Sequence, residues 1–274
     1  MKKQGRAPKN ELRRLRTRLA AAERKLRRAE AENQAKENAL IQVAHELRTP
    51  LSAVVNWTNL LQGEGLTEEE RQHGLKVIAE NTDAQARLIE DLLDFGRIVS
   101  GQVKLDLRPI NVLEVLELAL NAVVPDGHKK NVEIKWAIHP GTKTVLADSL
   151  RLQQVLWNLL VNAIKFTDQG GRVQVILEHE PEWVRIRVVD NGKGIKLEDQ
   201  AAVFERYKKS PSPEQKSPSR EQGGGLGIGL FLAKSLVQLQ QGTISISSQG
   251  DGRGTEFVLS LPRAPDSRAV ALNE

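Results

Sequence analysis

Between Leu12 and Leu47 the chain repeats at alternating intervals of three and four residues: Leu12, Leu15, Leu19, Ala22, Leu26, Ala29, Asn33, Lys36, Leu40, Val43, Leu47. An even 3.5-residue period keeps one stripe of a helix facing a partner helix, so this stretch reads as the a and d positions of a coiled coil. Asn33 falls at an a position, where a buried amide sets register or strand number at some cost in stability. Ala22, Ala29 and Lys36 thin the middle of the seam. Such a segment is marginal by itself.

Pro50 lacks an amide hydrogen and crowds the preceding turn, so a bend or interruption of the helix is expected there. The apolar pattern resumes at Leu51, Val54, Val55, Leu60 and Leu61 and stops at Gln62-Gly63-Glu64-Gly65. Thr67 with Glu70 forms a capping box that opens a second helix. That helix carries Leu75, Ile78, Leu88, Ile89, Leu92, Leu93 and Phe95 inward and closes near Ser100-Gly101. Two long helices and a short loop make an antiparallel hairpin, which would form a four-helix bundle with a second copy. In this register His45 sits at f, farthest from the seam. An imidazole held out on a rigid stem can act as a nucleophile, and Glu46 beside it can orient the ring or take its proton. An ordinary surface histidine satisfies the same register.

The chain has 274 residues, 39% of them hydrophobic, and no cysteine. Disulfides and cysteine-ligated metals are excluded, and the cytoplasm is the expected compartment. No apolar run reaches 18 residues and the N-terminus is not apolar, which argues against a membrane span or secretory signal. Residues 1–28 hold twelve basic side chains and two acids, against a formal charge of +5 for the whole chain. The rest is thus net acidic. The basic run reads first as a solvated helix face; contact with an anionic membrane surface is the second reading, and no specific nucleic-acid partner is implied.

Past Gly101 the texture changes. β-like runs at residues 103–107, 132–138, 173–177, 183–189, 243–248 and 255–261 are interspersed with helical patterns at 112–123, 150–166 and 228–239. This order predicts a mixed sheet covered on one face by helices, an α/β sandwich. The domains are read as a basic coiled-coil segment at 1–40, a helical hairpin at 41–101, an α/β domain at 102–262 and a flexible tail at 263–274.

Four polar clusters interrupt this second half. Asn158 and Asn162 lie four apart on one helix face with Lys165 three further on, a stripe suited to a hard cation and phosphate oxygens. Asp190-Asn191-Gly192-Lys193-Gly194 ends a strand with one carboxylate. Gly223-Gly224-Gly225-Leu226-Gly227-Ile228-Gly229 runs into a helix, where bare amides can hold an anion. Gly252-Arg253-Gly254-Thr255 turns into the last strand. Each alone is as readily a flexible loop, a cap or a turn.

Together, in this order, they resemble the transmitter core of a bacterial sensor histidine kinase over about residues 35–262. His45-Glu46-Leu47-Arg48-Thr49-Pro50 matches the H box and Asn158 through Thr167 the N box. The three glycine clusters, at 190–194, 225–229 and 252–255, match the glycine boxes. The α/β half alone resembles the wider ATPase superfamily that includes DNA gyrase and mismatch-repair proteins; the H box on a hairpin separates the two.

The resemblance implies that His45 takes the γ-phosphoryl group of ATP, with Glu46 as proton acceptor, and passes it to an Asp of a response regulator. It implies that Asn162 ligates Mg²⁺ and that Asn158 and Lys165 help hold metal and phosphates. Asp190 would accept from the adenine amino group, with Gly192 and Gly194 letting the base approach. Gly225, Gly227 and Gly229 would hinge a lid, Thr255 would line the adenine pocket, and Thr49 would orient a water for dephosphorylating the partner. A homodimer is implied as well. The family's Phe-x-Pro-Phe box reads Phe204-Glu205-Arg206-Tyr207 here, and residues 208–222, rich in Lys, Ser, Pro and Gln, read as a lid that is disordered without nucleotide, with Lys208, Lys209 and Arg220 as candidates to reach the phosphates. The length leaves no room for a sensor domain before the heptads or a receiver after Leu261. Either a separate upstream partner or residues 1–40 deliver the stimulus, or the sequence is a piece of a longer protein. A scaffold that has lost catalysis and a simple ATPase remain the alternative readings.

Overall fold

The computed structural model describes residues 7–141, 143–205 and 227–264. Gly225, residues 206–222 and the tail after 264 lie outside them. The chain divides into two compact units, Met1–Gln85 and Ala86–Glu274, with the boundary inside a helix. Among the described residues, no helix is long and apolar enough to cross a membrane.

The first unit is a helical hairpin. Helix α1 spans Ala7–Gln62 without a break, so the interruption expected at Pro50 does not occur. A proline removes a single helical bond, the one to the carbonyl four residues back, and Pro50 buries its ring. The Thr49 hydroxyl donates to the His45 carbonyl at 3.2 Å on the same turn. Asn33 is exposed and donates along its own helix to Glu37. The capping box is present in full: the Thr67 amide donates to Glu70 Oε2 at 2.8 Å and the Glu70 amide donates to the Thr67 hydroxyl at 3.2 Å. It starts α2, Glu68–Val99. The hairpin closes where Trp57 of α1 meets Gly74 and the His73 ring of α2.

The second unit has two sheets. A two-stranded antiparallel sheet pairs β1, Arg108–Asn111, with β3, Thr144–Ala147. The five-stranded sheet has the order β2-β4-β5-β7-β6, with β2 (Glu133–Ile138) parallel to β4 (Arg172–His179) and the others antiparallel. Its remaining strands are β5, Trp183–Asp190, β6, Thr243–Ser247, and β7, Thr255–Pro262. Every second residue of β5 and β7 is buried, and so are Val173, Val175 and Leu177 of β4, the pattern of a sheet with one covered face. The cover is α3 (Val112–Lys130), α4 (Ser149–Phe166) and α6 (Gly229–Leu239), whose buried side chains join the strands in one core. A single turn, α5, Leu197–Gln200, follows the β5 loop.

Residues 103–107 are not a strand, although their exposure alternates. They lack a ladder partner; β1 begins at Arg108, and the Asp106 amide instead donates to Asp148. Helix α3 runs past Pro125 to Lys130 and ends on Asn131 in the left-handed region at φ 54°. Its last turn is held by packing: Gly127 lies so close to Ile134 of β2 that a Cβ would come within 2.7 Å.

Candidate functional site

Asp190 is the last residue of β5 and lies opposite Thr255, the first of β7. Both are buried, Asp190 with only 6% of its surface exposed. One carboxylate oxygen, Oδ1, accepts from the Gly192 amide at 2.9 Å and the Thr255 amide at 3.2 Å. Burial raises the carboxyl's pKa above the usual range, and the two backbone bonds oppose the rise without cancelling it. Neither bond uses the second oxygen, which remains an acceptor for a ligand donor.

Glycines let three loops close on this carboxylate. Gly254 has φ +71°, and a Cβ there would collide with the Asp190 carbonyl; its amide donates to the Gly192 carbonyl at 3.1 Å. A Cβ on Gly192 would strike the Phe166 carbonyl at the end of α4. The neighbouring Lys193 amide donates to that same carbonyl at 3.1 Å. Gly194 packs on Gly250, two residues before the third glycine cluster. Sequence reading missed two further supports. The Asn191 side chain accepts from the Arg172 amide at 2.7 Å. Ser248 Oγ accepts from the Ile195 amide and donates to the Gly254 carbonyl at 2.6 Å. Neither residue carries a local pattern that would betray a contact so far along the chain.

Helix α4 supplies the adjoining wall. Asn158 is 5% exposed, and its Nδ2 is buried with no hydrogen-bond partner among the described residues; such donors are scarce because an unmade bond costs about 1–3 kcal/mol. Gly229, the first residue of α6, abuts the Asn158 amide, leaving 3.2 Å from a hypothetical Cβ to Oδ1. Asn162 Nδ2 donates to the Asn158 carbonyl at 2.9 Å. That bond commits the nitrogen to the helix and leaves the carbonyl oxygen as a hard ligand. Lys165 is exposed, its ammonium 5.4 Å from the Phe166 ring centre. Gly227 precedes α6 at φ +68°.

This donor set fits a magnesium nucleotide. Among the described residues no cluster of three or more His, Asp or Glu could hold a metal ion, so a cation would take part of its shell from phosphates, as Mg²⁺ commonly does. The orphaned Asn158 donor suits a phosphate oxygen.

Thus Asn158, Asn162, Asp190, Gly192, Gly194, Gly229 and Thr255 lie along one connected set of contacts, with Gly227 and Lys165 at its borders. His45, Glu46 and Thr49 belong to the other unit. His45 is exposed on α1, Glu46 is half-buried, and the Thr49 hydroxyl is engaged by the His45 carbonyl.

Two family descriptions match the chain. Residues 35–101 match the His Kinase A (phospho-acceptor) domain, and residues 147–265 match the histidine kinase-, DNA gyrase B- and HSP90-like ATPase. The chain carries the transmitter core of a sensor histidine kinase. The sensor protein GacS of Pseudomonas syringae pv. syringae is 35% identical to this core over 241 residues, 85% of the chain and 26% of GacS. The chain spans about a quarter or less of the length of the first curated relatives it matches. Full-length ShkA, solved in complex with AMPPNP, superposes with a TM-score of 0.61 at 29% identity, covering 84% of this chain and 46% of ShkA. The histidine kinase ThkA, solved with the response regulator protein TrrA, shares the fold of the core at a TM-score of 0.57 and 21% identity, covering 84% of this chain and 62% of ThkA.

Proposed function

We propose that this chain is an ATP-dependent protein histidine kinase that phosphorylates itself on His45 and passes the phosphoryl group to an aspartate of a response regulator. One observation carries the reading: the same chain joins a phospho-acceptor hairpin, with His45 exposed, to an ATPase-type fold whose buried Asp190 keeps one oxygen available. Phosphoryl transfer asks for positioning and charge compensation more than covalent assistance. The nucleophile and the nucleotide can therefore sit in separate units of one protein.

In this reading the free oxygen of Asp190 accepts from the adenine amino group, and Thr255 and Gly192 fix that carboxylate in place. Asn158 donates to a phosphate oxygen, and Lys165 adds positive charge. Mg²⁺, held through the Asn162 carbonyl, would neutralise charge on the phosphates. A ring nitrogen of His45 bonds to the γ-phosphorus as the bond to the bridging β–γ oxygen breaks; Glu46 takes the proton from the other ring nitrogen. Thr49 is the residue proposed to orient water when the phosphorylated regulator is hydrolysed.

A homodimer is part of the proposal. Leu40 is 70% exposed in the single chain, and Leu51, Val55 and Leu75 are exposed beside it along the hairpin. Two copies would cover them in a four-helix bundle. The regulator as partner rests on the phospho-acceptor match, and ThkA with TrrA is an instance of the fold in such a pair.

Incubation with γ-labelled ATP and Mg²⁺ tests the reading. Acid-labile, alkali-stable label is expected on the wild type and none on His45→Ala. Label persisting on His45→Ala overturns the acceptor. A wild type that binds Mg-ATP but stays unlabelled points to the scaffold, and label released only as free phosphate points to the simple ATPase.

A further inference from the structure

A helix ends with four carbonyls that its own backbone cannot satisfy, and at the end of α4 each has a partner. The Ala163 carbonyl accepts from the Thr167 amide at 3.1 Å and from its hydroxyl at 2.7 Å. The Phe166 carbonyl accepts from the Lys193 amide. The two between them, of Ile164 and Lys165, both accept from Lys130 Nζ, at 2.8 and 2.5 Å. Lys130 is the last residue of α3, 34 positions upstream. Its ammonium thus sits at the negative end of α4, where a cation is favoured. The same corner is stitched down by its neighbours: the Gly170 amide donates to the Asn131 carbonyl at 2.8 Å, and the Glu133 amide to the Gly171 carbonyl at 2.9 Å.

We propose that Lys130 is a positioning residue for the nucleotide, holding the last turn of α4 so that Asn162 and the Phe166 carbonyl keep the geometry that binding needs. The inference rests on the nucleotide-binding reading of the site. Asn162 lies two residues before the first of the two carbonyls that Lys130 holds. Phe166 follows the second, and its carbonyl anchors the loop carrying Gly192 and Lys193. Loss of the ammonium leaves two carbonyls at the end of a well-packed helix without their donor, and the turn loosens next to both binding elements. The bonds from Lys130 run to backbone carbonyls of α4, and it takes no part in the chemistry at His45. Its removal therefore weakens nucleotide binding and spares the transfer step.

The test compares Lys130→Met and Lys130→Arg with the wild type in the full chain, measuring Mg-AMPPNP affinity, the KM and kcat of self-phosphorylation, and thermal melting. Lys130→Met is expected to raise Kd and KM about tenfold with kcat within about twofold. Lys130→Arg, which keeps charged donors, is expected to return to within about threefold of wild type. A folded Lys130→Met with wild-type affinity overturns the proposal, as does equal impairment of both variants. If Lys130→Met does not fold, acetylation of Lys130 in the wild type decides: Mg-AMPPNP should slow it severalfold, and an unchanged rate overturns the proposal. A wild type that does not bind Mg-AMPPNP sinks the nucleotide reading itself, a separate result.

Discussion

The Thr255 amide donates to the carboxylate of Asp190, 65 residues upstream, across the β5–β7 ladder at 3.2 Å, and that oxygen also accepts from Gly192. One oxygen is thereby held by the backbone and the other kept for a ligand. Asp190→Asn can preserve the first arrangement, since its amide oxygen still accepts both bonds, but it puts a donor where, in the proposed reading, the adenine amino group donates. The expected loss is about 1.5–3 kcal/mol, roughly ten- to hundredfold in ATP affinity, with little change in melting temperature. Titration with a fluorescent ATP analogue measures it; an Asp190→Asn protein that binds ATP as tightly as wild type rules out the adenine assignment.

Gly254 and Gly252 separate two costs that glycine avoids. Both have positive φ, +71° and +74°, but a Cβ on Gly252 meets nothing within 4 Å while one on Gly254 collides with the Asp190 backbone. Gly252→Ala should cost about 1–2 kcal/mol, the strain of the left-handed region for an L residue. Gly254→Ala should cost at least about 2 kcal/mol more, because backbone cannot yield as a flexible side chain does. Urea unfolding of the two variants gives the difference, and equal losses would show that the close approach is not structural.

The features legible in the sequence are those with a local cause. Thr67 and Glu70 sit three apart and bond each other; Asn158 and Asn162 sit one turn apart on α4 and also bond; Asp190 ends an alternating strand. What was not legible depends on distant partners. Alternation at residues 103–107 reports burial, and burial does not supply a neighbouring strand; β3 supplies one only from Arg108 onward. Pro125 signals an ending, yet contact with β2 carries α3 on to Lys130. The bonds from Lys130 to α4 leave no trace at any fixed spacing.

Asp91 and Asp94, on the last turns of α2, make stability depend on pH. Asp94 is 6% exposed, accepts from Arg151 Nη1 at 2.5 Å and Gln154 Nε2 at 3.0 Å, and lies 3.4 Å from Arg97. Burial pushes the Asp91 carboxyl up to about 6, with the charges of Asp94 and Glu90 adding to the rise and a hydrogen bond to Gln154 opposing it. The folded state therefore holds the Asp91 proton more tightly than the unfolded chain does. Its favourable contribution is complete below about pH 4 and is lost as pH rises through 6. Asp91→Asn should then stabilise the protein by on the order of 1–3 kcal/mol at pH 7.5, a gain that shrinks between pH 6 and 4 and disappears below. Denaturant unfolding across that range checks it; a gain independent of pH contradicts the assigned cause.

Gly74 is buried two turns into α2, where alanine would normally be preferred by about 1 kcal/mol. Here an added Cβ would lie 2.5 Å from Trp57 Cε3 and 3.0 Å from Cζ3, and the rigid indole is already edge-on to His73 with centroids 5.3 Å apart. The clash outweighs the propensity, so Gly74→Ala should lower stability by about 1–2 kcal/mol. Shortening the partner reverses the sign: against a Trp57→Leu background the same change should be neutral or stabilising, because the space is open and the gain in helix propensity remains. A double-mutant cycle by circular dichroism melting isolates the coupling between the two positions, and additive losses would mean that the indole does not set the spacing of the hairpin.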